Sequence, residues 1–136
     1  MARILALDIG DRYIGIAATD HVNETLAYRY GTLDRKGEDV LSVLAGIIHE
    51  ESIDTLVLGV PYHVEDGSET AQTRKTKDFI NAVKGKFGSS VGYVEVDETL
   101  TSFQAKENLK SEGMDNTEEH AEAARVMLKE YLVHSR

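Results

Sequence analysis

The hydrophobic period changes partway along the chain, and that change limits the folds open to it. From Arg3 to Leu33 the apolar residues come in strand-length runs. Arg3–Ile9 and Tyr13–Thr19 are rich in Ile, Leu and Ala and flank Gly10-Asp11-Arg12. The stretch "LAYRYGTL" (Leu26–Leu33) sets Leu26, Tyr28 and Tyr30 against Ala27, Arg29 and Gly31. Short runs around a glycine-bearing turn predict a hairpin, and the alternating third run predicts a strand that extends it into a meander. Between Gly37 and Glu51 the period becomes helical: Val40, Leu41, Val43, Leu44, Ile47 and Ile48 fall on one face. "TLVLGV" (Thr55–Val60) is then continuously apolar, as a strand covered on both faces must be, and Pro61 ends it.

The second half repeats this alternation. Glu69–Phe87 carries a loose apolar stripe and reads as a helix, and "VGYVEV" (Val91–Val96) reads as a strand. Thr101-Ser102-Phe103-Gln104 fits a capping box that opens a helix to Glu112, with Gly113 placed to stop it. A last helix opens near Asp115–Glu118 and runs to Val133. Three meandering strands followed by β-α-β crossovers predict an α/β fold: a five-stranded mixed sheet flanked by helices, in one domain spanning residues 1–136.

Composition narrows the function classes. The 136 residues include no cysteine, which removes disulfide frameworks and thiolate metal sites. No apolar run approaches the ~18 residues of a membrane span, so a cytoplasmic protein without membrane partners is expected. The formal net charge of −9 disfavours long electrostatic tracking along nucleic acid. It leaves room for a compact site in which cations neutralise carboxylates and phosphates together.

Two acidic positions stand out. Asp8 closes the first apolar run, where an ionised carboxylate is costly to bury without a partner. It reads as a metal ligand, as part of a phosphate-binding hairpin, or as a turn residue accepting from the N–H groups of Gly10–Arg12. Gly10 would let the backbone pass close to another group, and Gly15 would relieve the strand opposite. Asp97 and Glu98 end a second strand just before a helix cap; they read as loop acids or as ligands. If their strand lies parallel to the first with one strand between, Asp8 and Glu98 leave the same sheet edge roughly 10 Å apart at about 4.8 Å per step. Oxygen ligands converging there suit Mg²⁺ or Mn²⁺ and the cleavage of phosphodiesters.

Four stretches, "ILALDIGDRYIGIAATD", "LVLGVPYHVEDGSETAQTRKTKDFI", "VEVDETLTSFQA" and "AARVMLKEYL", stand in the order and spacing of the bacterial YqgF/RuvX family. The chain resembles that family over nearly its whole length. The resemblance implies a ribonuclease-H-like fold and a metal-dependent nuclease that acts on structured nucleic acid, either the 5′ end of a pre-16S rRNA precursor or branched DNA such as a Holliday junction. The family's first-strand aspartate falls on Asp8 and its second acid on Glu98, with Asp97 beside it. Thr99 stands where the family motif has arginine. His120 stands where its third acid is expected, and the acidic "DNTEEH" (Asp115–His120) replaces a lysine-rich turn.

On a helix, His120 shares a face with Ala124, Met127, Leu128 and Tyr131, so it should point toward the sheet. It is expected either as a half-buried, hydrogen-bonded histidine or as an imidazole ligand or general acid/base in place of the third carboxylate. The loop and helix start "PYHVEDGSETAQTRKTK" form the expected substrate edge. Tyr62 and His63 could stack on bases, and Arg74, Lys75 and Lys77 could meet phosphates, although Glu65, Asp66 and Glu69 offset their charge.

Two other functions are open at this point. The chain could be a binding or regulatory module that kept the fold and lost the site. It could also be an actin-like half-domain, since "DIGDRYIG" resembles a first phosphate hairpin; such enzymes need two such domains, so a partner chain would have to supply the other half. A homodimer is the assembly to look for.

Overall fold

The computed structural model describes residues 3–20, 25–61, 69–97 and 118–134. The Gly10-Asp11-Arg12 turn joins β1 (Ile4–Ile9) to β2 (Tyr13–Thr19), closed by the Gly10 N–H donating to the Tyr13 carbonyl at 2.9 Å. β3 (Ala27–Asp34) pairs antiparallel with β2, with an irregularity between Ile16 and Ala17. The next strands cross over: β4 (Thr55–Val60) lies parallel to β1, and β5 (Gly92–Asp97) parallel to β4. The sheet order is β3-β2-β1-β4-β5. β1 therefore sits in the centre, and all six of its residues are buried.

The helices between the strands start where the sequence supplies caps. Asp39 caps α1 (Val40–Glu50), accepting from the Ser42 N–H and hydroxyl. α1 ends with Ser52 at φ 54° while the Ile53 N–H donates to the Ile48 carbonyl at 3.0 Å, a Schellman-type closure. Thr70 and Thr73 form a reciprocal box at the start of α2 (Ala71–Phe87), and the Thr73 hydroxyl also reaches the Pro61 carbonyl. A short 3₁₀ turn, Gly88–Ser90, leads into β5. The last helix described, α3, runs from Glu119 to His134.

Two apolar layers cover the two faces of the sheet. On one, Leu5, Leu7, Ile9, Ile14, Ile16, Leu56, Leu58 and Val60 pack against Val40, Leu44 and Ile47 of α1 and Phe79, Ile80 and Val83 of α2. On the other, Ile4, Ala6, Ala17 and Val57 meet Ala124, Met127 and Leu128 of α3. The small side chains of β1 and β2 on this second face let α3 lie close to the sheet. Arg3, 7% exposed, pins one end: it donates to the carbonyls of Glu51 and Thr19 and pairs with the Glu51 carboxylate at 3.3 Å.

The elements and their order match the sequence reading, including the five-stranded mixed sheet. The helix expected from Thr101 to Glu112 lies outside the described residues. Leu26 departs from the expected alternation. It precedes β3 and is 56% exposed, because its carbonyl is held by the Asp20 N–H across the β2–β3 connection while its side chain turns to solvent. Tyr28 and Tyr30 do pack on the α1 and α2 layer, as the alternation requires.

Candidate active site

Asp8 is the fifth residue of β1 and faces α3. Its partner on β2 is Gly15. Lateral neighbours in a sheet share a face. Leu7 pairs with Leu58 of β4, and Leu58 with Glu95 of β5, so the next row runs Asp8, Gly59, Val96. The Asp8 carboxylate is 5% exposed and meets His120, which donates from Nδ1 to Oδ2 at 2.8 Å. A buried carboxylate needs such a partner. The turn N–H reading of Asp8 gives way here: the Gly10 N–H is used by Tyr13, and the carboxylate turns to the helix instead.

Two glycines make this contact possible. A Cβ on Gly15 would lie 1.9 Å from the carbonyl carbon of His120 and 2.0 Å from its oxygen, so the first turn of α3 rests directly on bare β2 backbone. A Cβ on Gly10 would lie 2.9 Å from His120 Cε1 and 3.4 Å from Nε2, so the imidazole lies over the hairpin turn. The "DIGDRYIG" pattern therefore seats a helix terminus and a ring as well as forming a turn.

The pair has definite electrostatics. Asp8 as acceptor fixes the proton on Nδ1 and leaves Nε2 as the atom that can take up or release one. The hydrogen bond to Asp8 raises the His120 pKa above its ordinary value; burial opposes this, and the charges of Asp8 and Glu119 add to it. His120 remains one-third exposed at its side chain, so Nε2 chemistry has access to solvent.

The other expected site residues are placed unevenly. Asp97 ends β5 opposite Val60, which belongs to the α1 and α2 layer, so Asp97 is on the face away from Asp8 and is exposed. Glu98, Tyr62 and His63 lie outside the described residues. Arg74, Lys75 and Lys77 occupy the first two turns of α2. Lys75 Nζ is 3.8 Å from Asp11 in the β1–β2 turn, which brings it to the sheet edge that carries Asp8. Lys77 is paired with Glu69. Asp8 and His120 supply a carboxylate and an imidazole, donors that suit Mn²⁺. Among the described residues no group of three or more His, Cys, Asp or Glu could hold a metal ion.

Sequence reasoning missed Glu122. Helical geometry puts it about 200° round from His120, yet it is fully buried. Arg125 donates to both of its oxygens at 2.7 and 2.6 Å, and Arg29 of β3 lies 3.7 Å away. The signal was present as an acid three residues before an arginine, but that spacing is common on solvated helices. Only the packing of α3 over β2 and β3 shows that both sides of the helix are covered.

The chain matches the RuvX family, described as "Holliday junction resolvase", over residues 2–134. It is 31% identical over 132 residues to the "Putative pre-16S rRNA nuclease" of Synechococcus elongatus, covering 94% of this chain and 87% of the relative. A protein of the same name from Burkholderia mallei is 32% identical over 131 residues, with 96% and 88% covered. Among solved structures the fold is similar to the Thermus thermophilus RuvC in complex with Holliday junction substrate, with TM-score 0.60, 11% identity, and 96% and 94% of the two chains covered. The fowlpox virus Holliday junction resolvase gives TM-score 0.62 at 10% identity, covering 96% and 98%. The sheet and its flanking helices are thus ribonuclease-H-like, and the chain belongs to the RuvX family of Holliday junction resolvases.

Proposed function

We propose that this chain is a nuclease that hydrolyses phosphodiester bonds in structured nucleic acid, with Asp8 and His120 at its centre. The observation that carries the reading is the 2.8 Å contact between a buried carboxylate at the end of the central strand and a histidine on the covering helix. The family's chemistry supports it, and the relatives' names point to a pre-16S rRNA precursor or a branched DNA as substrate.

In this reading Asp8 and Glu98 would hold a divalent ion, Mg²⁺ or Mn²⁺, and His120, bonded to Asp8 through Nδ1, stays off the ion with Nε2 free for a proton. Glu98 follows directly on Asp97 in the sequence and lies outside the described residues. When bound, such an ion polarises the phosphate and lowers the pKa of an attacking water. His120, oriented through Nδ1 by Asp8, moves a proton at Nε2. Lys75, beside the hairpin turn, would meet a substrate phosphate, and Arg74 the flanking backbone. A cytoplasmic site of action and a homodimer, which would suit a two-fold junction, belong to the same proposal. No helix among the described residues is long and apolar enough to cross a membrane.

The test is a cleavage panel of four-way junction, precursor rRNA end and single strands with Mg²⁺ and Mn²⁺. Asp8→Asn should abolish cleavage while the variant still melts cooperatively; full activity in Asp8→Asn would overturn the reading. One observation favours the alternative of a non-catalytic module: the imidazole already occupies an oxygen of the Asp8 carboxylate. Calorimetry separates the two, because a module binds no Mn²⁺ at millimolar concentration.

A further inference from the structure

The Asp8–His120 contact leaves a cleft on its β3 side that the nuclease reading does not use. It has a volume of about 590 Å³, within the ~300–1,000 Å³ range of small-molecule sites. It is lined by Tyr13 of β2, Gly31, Thr32 and Asp34 of β3, Glu38, and Glu118 and His120 at the start of α3. We propose that this cleft is a nucleobase pocket. It takes one unpaired base next to the phosphate handled at Asp8 and favours a base whose Watson–Crick edge donates hydrogen bonds, guanine first and uracil last. The proposal rests on the nuclease reading for its substrate class.

The residue chemistry selects a base over a phosphate. Tyr13 is 37% exposed and offers a ring face beside His120, whose ring centroid lies 6.3 Å away at 39°. Aromatic side chains of this kind stack unpaired bases. The polar part of the lining is acidic: Asp34 is held by Arg12, and Glu38 and Glu118 add carboxylates, whose oxygens suit hydrogen-bond donors better than a phosphate. Arg12, the cation beside Tyr13, is already committed. Its Nη2 lies 3.2 Å from Asp34 and its guanidinium sits over the Tyr13 ring at 5.1 Å.

Guanine presents N1–H and the 2-amino group side by side. These two donors meet one carboxylate as an arginine fork does. Adenine and cytosine offer one amino donor. Uracil offers a single N–H between two carbonyl oxygens, which would face the carboxylates. Because His120 lines the cleft and also holds Asp8, a base seated here belongs to a nucleotide flanking the cut.

The test reads binding without cleavage. The ¹⁵N-labelled full chain, in EDTA, is titrated with 5′-GMP, AMP, CMP and UMP, and with inorganic phosphate. GMP should shift the amides of Gly31, Thr32 and Asp34 and the His120 ring in saturable fashion, and UMP should bind several-fold more weakly. Inorganic phosphate should leave the three amides in place. Tyr13→Ala should weaken all four nucleotides at least fivefold, and Tyr13→Phe should restore them. Glu118→Gln and Glu38→Gln should reduce the preference for GMP over UMP. Absence of these shifts, their reproduction by phosphate, or equal affinity for GMP and UMP in the wild type would overturn the pocket. Asp8→Asn should retain the GMP shifts, so an active Asp8→Asn would overturn the nuclease reading while the titration still judges the pocket.

Discussion

His120 and Asp8, 112 residues apart in sequence, share a hydrogen bond of 2.8 Å between Nδ1 and Oδ2, and the helix terminus that carries His120 rests on the bare backbone of Gly15. The contact makes the stability of the fold depend on pH. The His120 pKa is raised in the folded state, chiefly by the Asp8 hydrogen bond. A raised pKa means that the protonated ring stabilises the native state. The contribution is fully present below the unfolded pKa of about 6.5 and is lost as pH rises through the raised folded value. In metal-free buffer, the wild type should therefore melt above His120→Asn by the widest margin near pH 5.5, and the gap should close above the raised pKa. Thermal melts of both proteins across this range check it; a gap that widens with pH would contradict the sign.

Gly15→Ala tests the seating of the helix. The added Cβ would fall 1.9 and 2.0 Å from backbone atoms of His120, which cannot rotate aside as a side chain could. Relief requires α3 to lift from β2, so the variant should lose about 1–3 kcal/mol in urea unfolding. It should also lose cleavage, because the lift carries His120 from Asp8. Gly31→Ala on the neighbouring strand meets nothing within 4 Å and serves as the control that should change stability little.

Thr76 identifies a place where the sequence is not optimal for stability. It is 1% exposed on α2, and among the described residues its hydroxyl has no hydrogen-bond partner. Burying an unpaired hydroxyl costs about 1–3 kcal/mol. Thr76→Val keeps the shape and removes the polar atom, so it should raise stability by about 1 kcal/mol, seen as an increase of about 2–4 °C in Tm. A fall in Tm would show that the hydroxyl has a partner.

Ser52 is a second such place. It closes α1 at φ 54°, in the left-handed region where a side chain costs roughly 1–2 kcal/mol. Glycine relieves that cost but loses more chain entropy, about 0.5–1 kcal/mol. Ser52→Gly should therefore stabilise by about 0.5–1 kcal/mol in denaturant melts with no change in cleavage, since Ser52 sits at the sheet end opposite Asp8.

Much of the fold was legible because its determinants are local. The shift from strand to helical period after Leu33 and the apolar Thr55–Val60 run each act within a few residues, and each appears in the structure where the sequence puts it. The α3 stripe of Ala124, Met127 and Leu128 likewise predicted the face that meets the sheet. Asp8 was marked as a candidate by its own chain neighbourhood, a carboxylate at the end of an apolar strand.

The partnerships were decided elsewhere. That Asp8 meets His120 rather than the turn N–H groups depends on the register that places Gly15 opposite Asp8 and on the helix docking onto that glycine. Asp97 faces away from Asp8 because parallel pairing aligned it with Val60, a one-residue matter that spacing in the sequence leaves open. Glu122 is buried because α3 is covered on more than one side, which helical periodicity alone does not report. The sequence by itself determined which segments become strands and helices and which residue types could do chemistry. The tertiary structure determined which of those residues touch, because contact between distant positions is set by strand register and helix seating, and both are properties of the packed whole.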